Sequence, residues 1–306
     1  MLVSLPDEHW VEAVGPIPGI DVVVDDLATA RPHQAQLEVV VPPYMRAWDI
    51  DLLHRMPRLR LVQLLTAGYD TVAAHLPTGV ELANAAGVHD ASTAELALTL
   101  TLASLRGLPS FVRDQQSGTW QRPGMLTSLA DRRVLIVGYG RVGAAIARRL
   151  KPFEVDLTVL AGHPRSGDDL VAHVHGRDDL ARLLPSHEVV IVAVPLTEQT
   201  RGLIDDHFLS ALPDGALVVN VARGAVADTQ ALVRHAGRVR LALDVTNPEP
   251  LPDGHPLWQA PNVLITPHVG GASTAFAPRA SALLRGQLTR VGRGLPPEHV
   301  VTSGHP

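Results

Sequence analysis

"RVLIVGYGRVGAAIARRL" (Arg133–Leu150) decides the fold of this chain. Four aliphatic residues in succession, Val134 to Val137, read as a buried strand, and the Ala- and Arg-rich run after Gly143 reads as a helix. Between them Gly138, Gly140 and Gly143 make G-x-G-x-x-G. Each glycine has its own mechanical role, the first in a tight turn, the second in a close backbone approach to a pyrophosphate, the third in helix-on-strand packing. The free N–H groups opening the helix then face the anion. The alternative is a glycine turn that binds nothing, but the strand–turn–helix context is the one a dinucleotide site requires.

Working outward, "LTVLA" (157–161), "EVVIVAVP" (188–195), "ALVVNVA" (216–222), "VRLALDV" (239–245) and "NVLITPH" (262–268) follow as strands at βαβ spacing. Upstream, "DVVVDD" (21–26), "LEVVV" (37–41), "RLVQLL" (60–65) and "VELAN" (80–84) are buried strands, with "DIDLLHRM" (49–56) a helix between two of them. Thr93 to Leu108 reads as a helix with Ser92 or Thr93 as N-cap, apolar on nearly every side and so packed between domains or subunits. "SGTWQRPGMLTSLAD" (117–131) is irregular, and a last helix spans about 280–291 before a polar tail. The pattern is α/β: two doubly wound parallel-sheet domains, with the C-terminal helix returning to the first.

Composition bounds the function. A chain of 306 residues, 46% hydrophobic and 19% charged, suits two globular domains. The net charge of −5 gives no general attraction to nucleic acid or anionic membranes. Cysteine is absent, which excludes disulfides, thiolate metal sites and a cysteine nucleophile, and the histidines form no ligand-spaced cluster, so no metal is expected. "MLVSLPDEHW" is no signal peptide and the apolar runs are too short to span a bilayer, so a cytoplasmic location is expected. Lys151 is the single lysine.

In open parallel sheets ligands bind beyond the carboxyl ends of the strands. Those ends carry Pro195, Arg223, Asp244 and His268, with Glu249 shortly after Asp244. A nicotinamide cofactor delivers hydride, so carbonyl reduction also needs a proton donor and a cation. Histidine titrates near neutrality, and a carboxylate on its other nitrogen favours imidazolium and fixes the ring. His268 and Glu249 are the candidate pair. Arg223 is placed to hold a carboxylate and polarise the adjacent carbonyl. Singly, each has a bland reading: a packing histidine, a strand-end arginine, a solvated loop acid.

In NAD-binding folds an acid at the end of the second strand, about twenty residues past the glycines, takes the adenosine ribose hydroxyls. In "LTVLAGHPRSG" (157–167) that place is held by Ala161. NADP carries a 2′-phosphate that a carboxylate would repel and an arginine would bind. Arg165, with or without His163, lies just past the strand, so NADP(H) is the expected cofactor, with NAD(H) possible.

"VGYGRVG", "PLTEQTRGLID", "VVNVARGAVAD", "ALDVTNPEPLPDGHPLW" and "NVLITPHVGG", in that order, resemble the D-isomer-specific 2-hydroxyacid dehydrogenases, as do "LLTAGYD" and "NAAGVHDASTAELALTLTLASLR" earlier. The resemblance covers roughly Leu61 to Gly271. It implies a discontinuous flavodoxin-like substrate domain (1–98 and 274–306) around a Rossmann NAD(P)-binding domain (99–273), assembled as a homodimer. It makes His268 the general acid/base tuned by Glu249, and has Arg223 orient the 2-oxo acid. It gives the substrate carboxylate to the Ala67–Gly68 backbone, places Thr93, Pro195, Thr200, Ala222 and Asp244 around the nicotinamide, and puts Arg141 and Val142 at the pyrophosphate turn.

The stretch 242–257 resembles the glyoxylate/hydroxypyruvate reductases of that family, which implies a small 2-oxo or 2-hydroxy acid as substrate. The tail beyond the last helix is too short for the regulatory domain of some phosphoglycerate dehydrogenases, which leaves a phosphoglycerate dehydrogenase without that domain as an alternative, and Glu249 disfavours the formate dehydrogenases. The reading from another class is a non-catalytic NAD(P)-binding interaction protein on the same scaffold.

Overall fold

The computed structural model describes residues 1–302. The chain forms two compact units, one of Met1–His89 with the segment from Thr274 on, the other Asp90–Ser273. In chain order the first unit opens with β1 (Leu2–Leu5), α1 (Glu8–Val14), β2 (Asp21–Val24), β3 (Val39–Val40), β4 (Leu61–Gln63), α2 (Asp70–Ala73) and β5 (Glu81–Ala83). The second holds α3 (Asp90–Leu105), α4 (Leu108–Gln116), β6 (Arg133–Val137), α5 (Arg141–Leu150), β7 (Asp156–Leu160), β8 (Arg165–Ser166) and β9 (His173–Val174). It continues through α6 (Leu180–Leu183), β10 (Val189–Val192), α7 (Asp206–Ala211), β11 (Leu217–Asn220), α8 (Thr229–His235), β12 (Arg240–Leu243) and β13 (Val263–Ile265). The chain then returns to the first unit with α9 (Phe276–Gly292) and β14 (Val300–Thr302).

The first sheet runs β2-β1-β3-β4-β5 in parallel, the flavodoxin order, with β14 antiparallel at the edge beside β5. Its two faces bury Val3, Leu5, Val39 and Leu61 under α1 and α9, and Val40, Val62 and Leu82 on the other side. The second sheet is parallel throughout, ordered β7-β6-β10-β11-β12-β13. His175, just past β9, bridges Leu160 in parallel and so adds a rudimentary seventh position beyond β7. That completes the doubly wound dinucleotide-binding order, with its switch point between β6 and β10.

Several local expectations change. α3 begins at Asp90, so Ser92 and Thr93 lie inside its first turn and neither is the N-cap. Three cap-forming residue types stand close together there, and the first of them opens the helix. Its buried Ala94, Ala97 and Leu100 pack in the core shared with Ile146 of α5 and Val219 of β11, within the second unit itself. The junction between units therefore falls at His89–Asp90, ahead of the whole helix. The stretch from Ile50 to Arg55 is a 3-10 helix, opened by Asp49 accepting from the Asp51 N–H.

His187, just before β10, is buried and donates from Nδ1 to the Leu183 carbonyl at 2.7 Å. Burial pushes its ring below the ordinary histidine value. The folded state thus binds fewer protons than the unfolded one just beneath that value, near 6.5. Stability is full above it and falls as pH drops towards the folded value. The slope of Tm against pH between about 6.5 and 5 should accordingly be shallower in His187→Asn than in the wild type. Parallel slopes in the two proteins would remove His187 from the acid response.

Candidate active site

The glycine turn is built on main-chain contacts. The N–H groups of Gly138 and Tyr139 both donate to the Leu160 carbonyl, at 2.8 and 2.9 Å, tying the end of β6 to the end of β7. Gly138 has φ +109°, and a methyl there would lie 2.5 Å from the Ala193 carbonyl oxygen beyond β10. At Gly143 a methyl would overlap the Gly138 carbonyl. Gly140 differs: nothing lies within 4 Å of the position its methyl would take. Two glycines close the turn and the middle one leaves its outer face open.

Gly140 is also the N-cap of α5 and supplies no capping side chain. Among the described residues no hydrogen bond satisfies the first N–H groups of that helix, on Arg141, Val142 and Gly143, the kind of donors an anion can take. The Arg141 side chain donates from Nε to Asp90 at 3.0 Å. A dinucleotide pyrophosphate fits this arrangement of open space and unpaired donors.

Ala161 follows β7 at the place of the missing acid. Arg165, in β8, donates from Nη2 to the Tyr139 carbonyl at 2.8 Å, which brings its guanidinium to the glycine turn. His163 is exposed, and no hydrogen bond or ion pair joins it to Arg165 among the described residues. On the loop after β10, Thr200 donates its hydroxyl to the Pro195 carbonyl at 2.6 Å and accepts from the Thr197 N–H at 2.8 Å, so these two expected residues form one brace.

Three loops at the carboxyl ends of β11, β12 and β13 carry the remaining residues. Asn220 closes β11, fully buried; its Oδ1 accepts from the Ala222 N–H at 3.0 Å and its Nδ2 donates to the Arg223 carbonyl at 3.2 Å. This fixes the backbone from which Arg223 projects. Gly224 then packs directly on the next loop, where a methyl would overlap the Thr246 carbonyl.

Asp244, buried after β12, is a hub. Its Oδ1 accepts from Thr266 Oγ1 at 2.6 Å and from the Val269 N–H at 2.9 Å, and its Oδ2 accepts from the Gly270 N–H at 2.8 Å. These bonds clamp the segment on both sides of His268, which takes a left-handed φ of 52° and donates its own N–H to the Asp244 carbonyl at 2.8 Å. Thr93, in the first turn of α3, lies alongside Gly270. The His268 ring points its Nδ1 at Glu249 Oε1, 2.6 Å away, with both side chains partly open to solvent.

Among the residues expected on this edge, His268, Glu249, Asp244 and Thr93 therefore converge. Asn220 and Thr266, which brace these loops by hydrogen bonds, are not singled out by the sequence. The only signal for either is a polar residue terminating an otherwise aliphatic strand. In the first unit, past β4, the carbonyls of Ala67 and Gly68 accept from Asn84 Nδ2 and Thr66 Oγ1, both at 2.7 Å. The Ala67 and Gly68 N–H groups donate to no protein acceptor among the described residues.

Residues 98–270 match the NAD-binding domain of the D-isomer specific 2-hydroxyacid dehydrogenases. The chain belongs to that family. It is an oxidoreductase of the NAD(P)-linked 2-hydroxyacid dehydrogenase class. It is 33% identical over 245 residues to a glyoxylate reductase/hydroxypyruvate reductase of Mus musculus, covering 77% of this chain and 75% of that one. It is 31% identical over 271 residues to a D-3-phosphoglycerate dehydrogenase of Archaeoglobus fulgidus, covering 86% of this chain but only 51% of that protein. Among solved structures, a D-isomer specific 2-hydroxyacid dehydrogenase from Xanthobacter autotrophicus, in complex with NADPH and MES, superposes with a TM-score of 0.80 at 31% identity over 99% of both chains. No helix among the described residues is long and apolar enough to cross a membrane.

The glycine geometry separates packing from binding. Gly143→Ala and Gly224→Ala should each lose about 1–3 kcal/mol or more of stability, since a methyl must displace main chain. Gly140→Ala should lose less than about 1 kcal/mol, the scale of a changed N-cap. Urea denaturation of the three variants checks this, and equal losses at all three would contradict the close approaches assigned to Gly143 and Gly224.

Proposed function

We propose that this dehydrogenase is an NADPH-preferring reductase of small 2-oxo acids, glyoxylate or hydroxypyruvate being the nearest candidates. The observation that carries the chemistry is the 2.6 Å contact between His268 Nδ1 and Glu249 Oε1 beside a loop clamped by Asp244. The likeness to the murine glyoxylate reductase/hydroxypyruvate reductase supports the substrate class. The NADPH complex of the Xanthobacter homologue, together with Arg165 at the glycine turn and Ala161 in place of an acid, supports the cofactor choice.

In this reading the second unit holds the cofactor together with the residues that act on the acid. Gly138, Gly140 and Gly143 with Arg141 and Val142 take the pyrophosphate, and Arg165, aided by His163, takes the 2′-phosphate. Thr93, Pro195, Thr200, Ala222 and Asp244 line the nicotinamide end. The bound cofactor supplies the hydride that reduces the 2-oxo carbon. Everything else falls to the chain's own groups. Glu249 accepts from Nδ1 of His268, which fixes the ring and leaves Nε2 to hand a proton to the substrate oxygen as charge develops there. Arg223 pairs with the carboxylate and polarises the adjacent carbonyl. The N–H groups of Ala67 and Gly68 in the first unit, which meet no protein acceptor among the described residues, suit a substrate carboxylate. In the oxidative direction neutral His268 takes the hydroxyl proton back.

His268→Ala should lower kcat by about 10²–10⁴ with a smaller change in KM, because proton transfer matters only in the transition state. Arg223→Ala should raise KM and lower kcat together. A photometric panel of NADPH and NADH against glyoxylate, hydroxypyruvate, pyruvate and longer 2-oxo acids tests the reaction itself. Failure to oxidise either cofactor anywhere on that panel would leave the interaction-protein reading in its place. Equal kcat/KM for NADPH and NADH, unchanged in Arg165→Ala, would reject the cofactor choice.

A further inference from the structure

Tyr139, the residue between the first two glycines of the turn, touches the β8–β9 hairpin at both ends. At the base of the hairpin its carbonyl accepts from Arg165 Nη2 at 2.8 Å, and the guanidinium carbon lies 6.0 Å from the centre of the Tyr139 ring. At the tip its phenol hydroxyl reaches the Asp168 carboxylate, 3.0 and 2.9 Å from the two oxygens. Asp168 in turn folds the tip, accepting on Oδ1 from the N–H groups of Leu170 at 2.9 Å and Val171 at 3.3 Å. The Tyr139 side chain is buried, so the hairpin is fastened to a fixed point.

The hairpin needs fastening. Each of its strands has two residues, Arg165 and Ser166 paired with His173 and Val174, and a ladder that short has little stability of its own. One bridge, Leu160 to His175, joins it to the main sheet. Lys151 adds a second tether to the tip, donating from Nζ to the Asp169 carbonyl at 3.0 Å. Among the described residues Tyr139 alone binds both the tip and the arginine, and it does so from within the glycine turn.

The charge states suit a permanent bond. Burial, and then the Asp168 carboxylate, push the Tyr139 phenol up to about 12, so it remains a donor throughout the neutral range. The Leu170 N–H holds Asp168 below the usual carboxylate range, with further help from the Tyr139 hydroxyl, so it remains an acceptor.

We propose that the Tyr139–Asp168 hydrogen bond is a latch that fixes the β8–β9 hairpin and thereby holds Arg165 at the glycine turn for the 2′-phosphate of NADPH. Tyr139 and Asp168 are then positioning residues for cofactor choice, and the inference rests on the role of Arg165 given above. The latch acts by preorganisation: an arginine already bonded to the turn loses little freedom when the phosphate arrives. The geometry also explains why an acid three residues past the arginine does not spoil a phosphate site, since its oxygens face the phenol and the turn amides.

Calorimetric titration with adenosine 2′,5′-bisphosphate and with AMP, and with NADPH and NADH, separates the possibilities without relying on turnover. The wild type should bind the 2′-phosphorylated member of each pair more tightly, and Arg165→Ala should abolish that ratio. Tyr139→Phe and Asp168→Ala should each cut the ratio by about tenfold, the scale of one charge-assisted hydrogen bond, with no further loss in the double variant. Asp168→Asn, which keeps an acceptor for the phenol, should retain most of it. A proportional loss for both members of a pair in Tyr139→Phe would mean a merely structural residue and overturn the latch. An unchanged ratio in Tyr139→Phe, alongside its collapse in Arg165→Ala, would overturn the latch while leaving Arg165 in place. Equal binding of both members by the wild type would remove the Arg165 reading and the latch with it.

Discussion

At Gly138 the main chain passes close enough to Ala193 that one methyl group would sit 2.5 Å from its carbonyl oxygen, and Gly224 approaches Thr246 more closely still. Both approaches join neighbouring strand ends of the second sheet, β6 to β10 and β11 to β12. The first opens the crevice at the switch point by drawing the turn down between two strands, leaving Gly140 on the outside. The second locks the loop carrying Arg223 onto the loop carrying Asp244 and Glu249. Neither depends on side-chain complementarity. Each is a constraint on where main chain can run, and the loops of the second unit that carry Arg223, Asp244 and Glu249 are placed relative to it.

On that frame a single buried carboxylate arranges the segment that carries His268. Asp244 gathers a hydroxyl and two N–H groups from residues 266–270, so the segment through His268 is held from both sides while the ring stays free to face Glu249. The left-handed backbone of His268 follows from this clamp, because the chain must reverse between Thr266 and Gly270 to bring its amides to one carboxylate. Histidine is among the non-glycine residues found in that region more often than most. The arrangement separates two roles that one acid could not fill together: Asp244 fixes the backbone, and Glu249, on a more open loop, addresses the ring.

Much of this is legible in the chain itself. The strands of the second unit are aliphatic runs bounded by Gly, Pro or Asn, and the glycine spacing fixes the crossover, so β6, β7, β10, β11, β12 and β13 stand where the sequence puts them. Elements too short to show a period stay hidden: β8, β9 and the antiparallel β14 are two or three residues each. β1 is obscured because Ser4 interrupts its apolar pattern, although that serine is fully buried. Helix α4, "LPSFVRDQQ", goes unread because Leu108, Phe111 and Val112 show the helical spacing only once, and none of its residues is buried. At the site, the sequence can nominate Asp244 by its position at a strand end, but not the partners its oxygens take. Those partners come from another loop, and spacing along the chain carries no record of them. The Tyr139–Asp168 bond is unreadable for the same reason, since both residues look like ordinary turn fillers.

The placement of β14 has a further bearing, on the order in which the molecule can be completed. The first sheet takes β1 to β5 from the beginning of the chain, but its edge strand and the helix α9, which buries Leu284 and Leu288, come after residue 274. The second unit lies wholly between these pieces and is contiguous from Asp90 to Ser273. On the ribosome, the cofactor-binding unit therefore has its entire core available while the apolar face of the earlier sheet still waits for α9. The segment that closes the first unit is made only after the whole of the second.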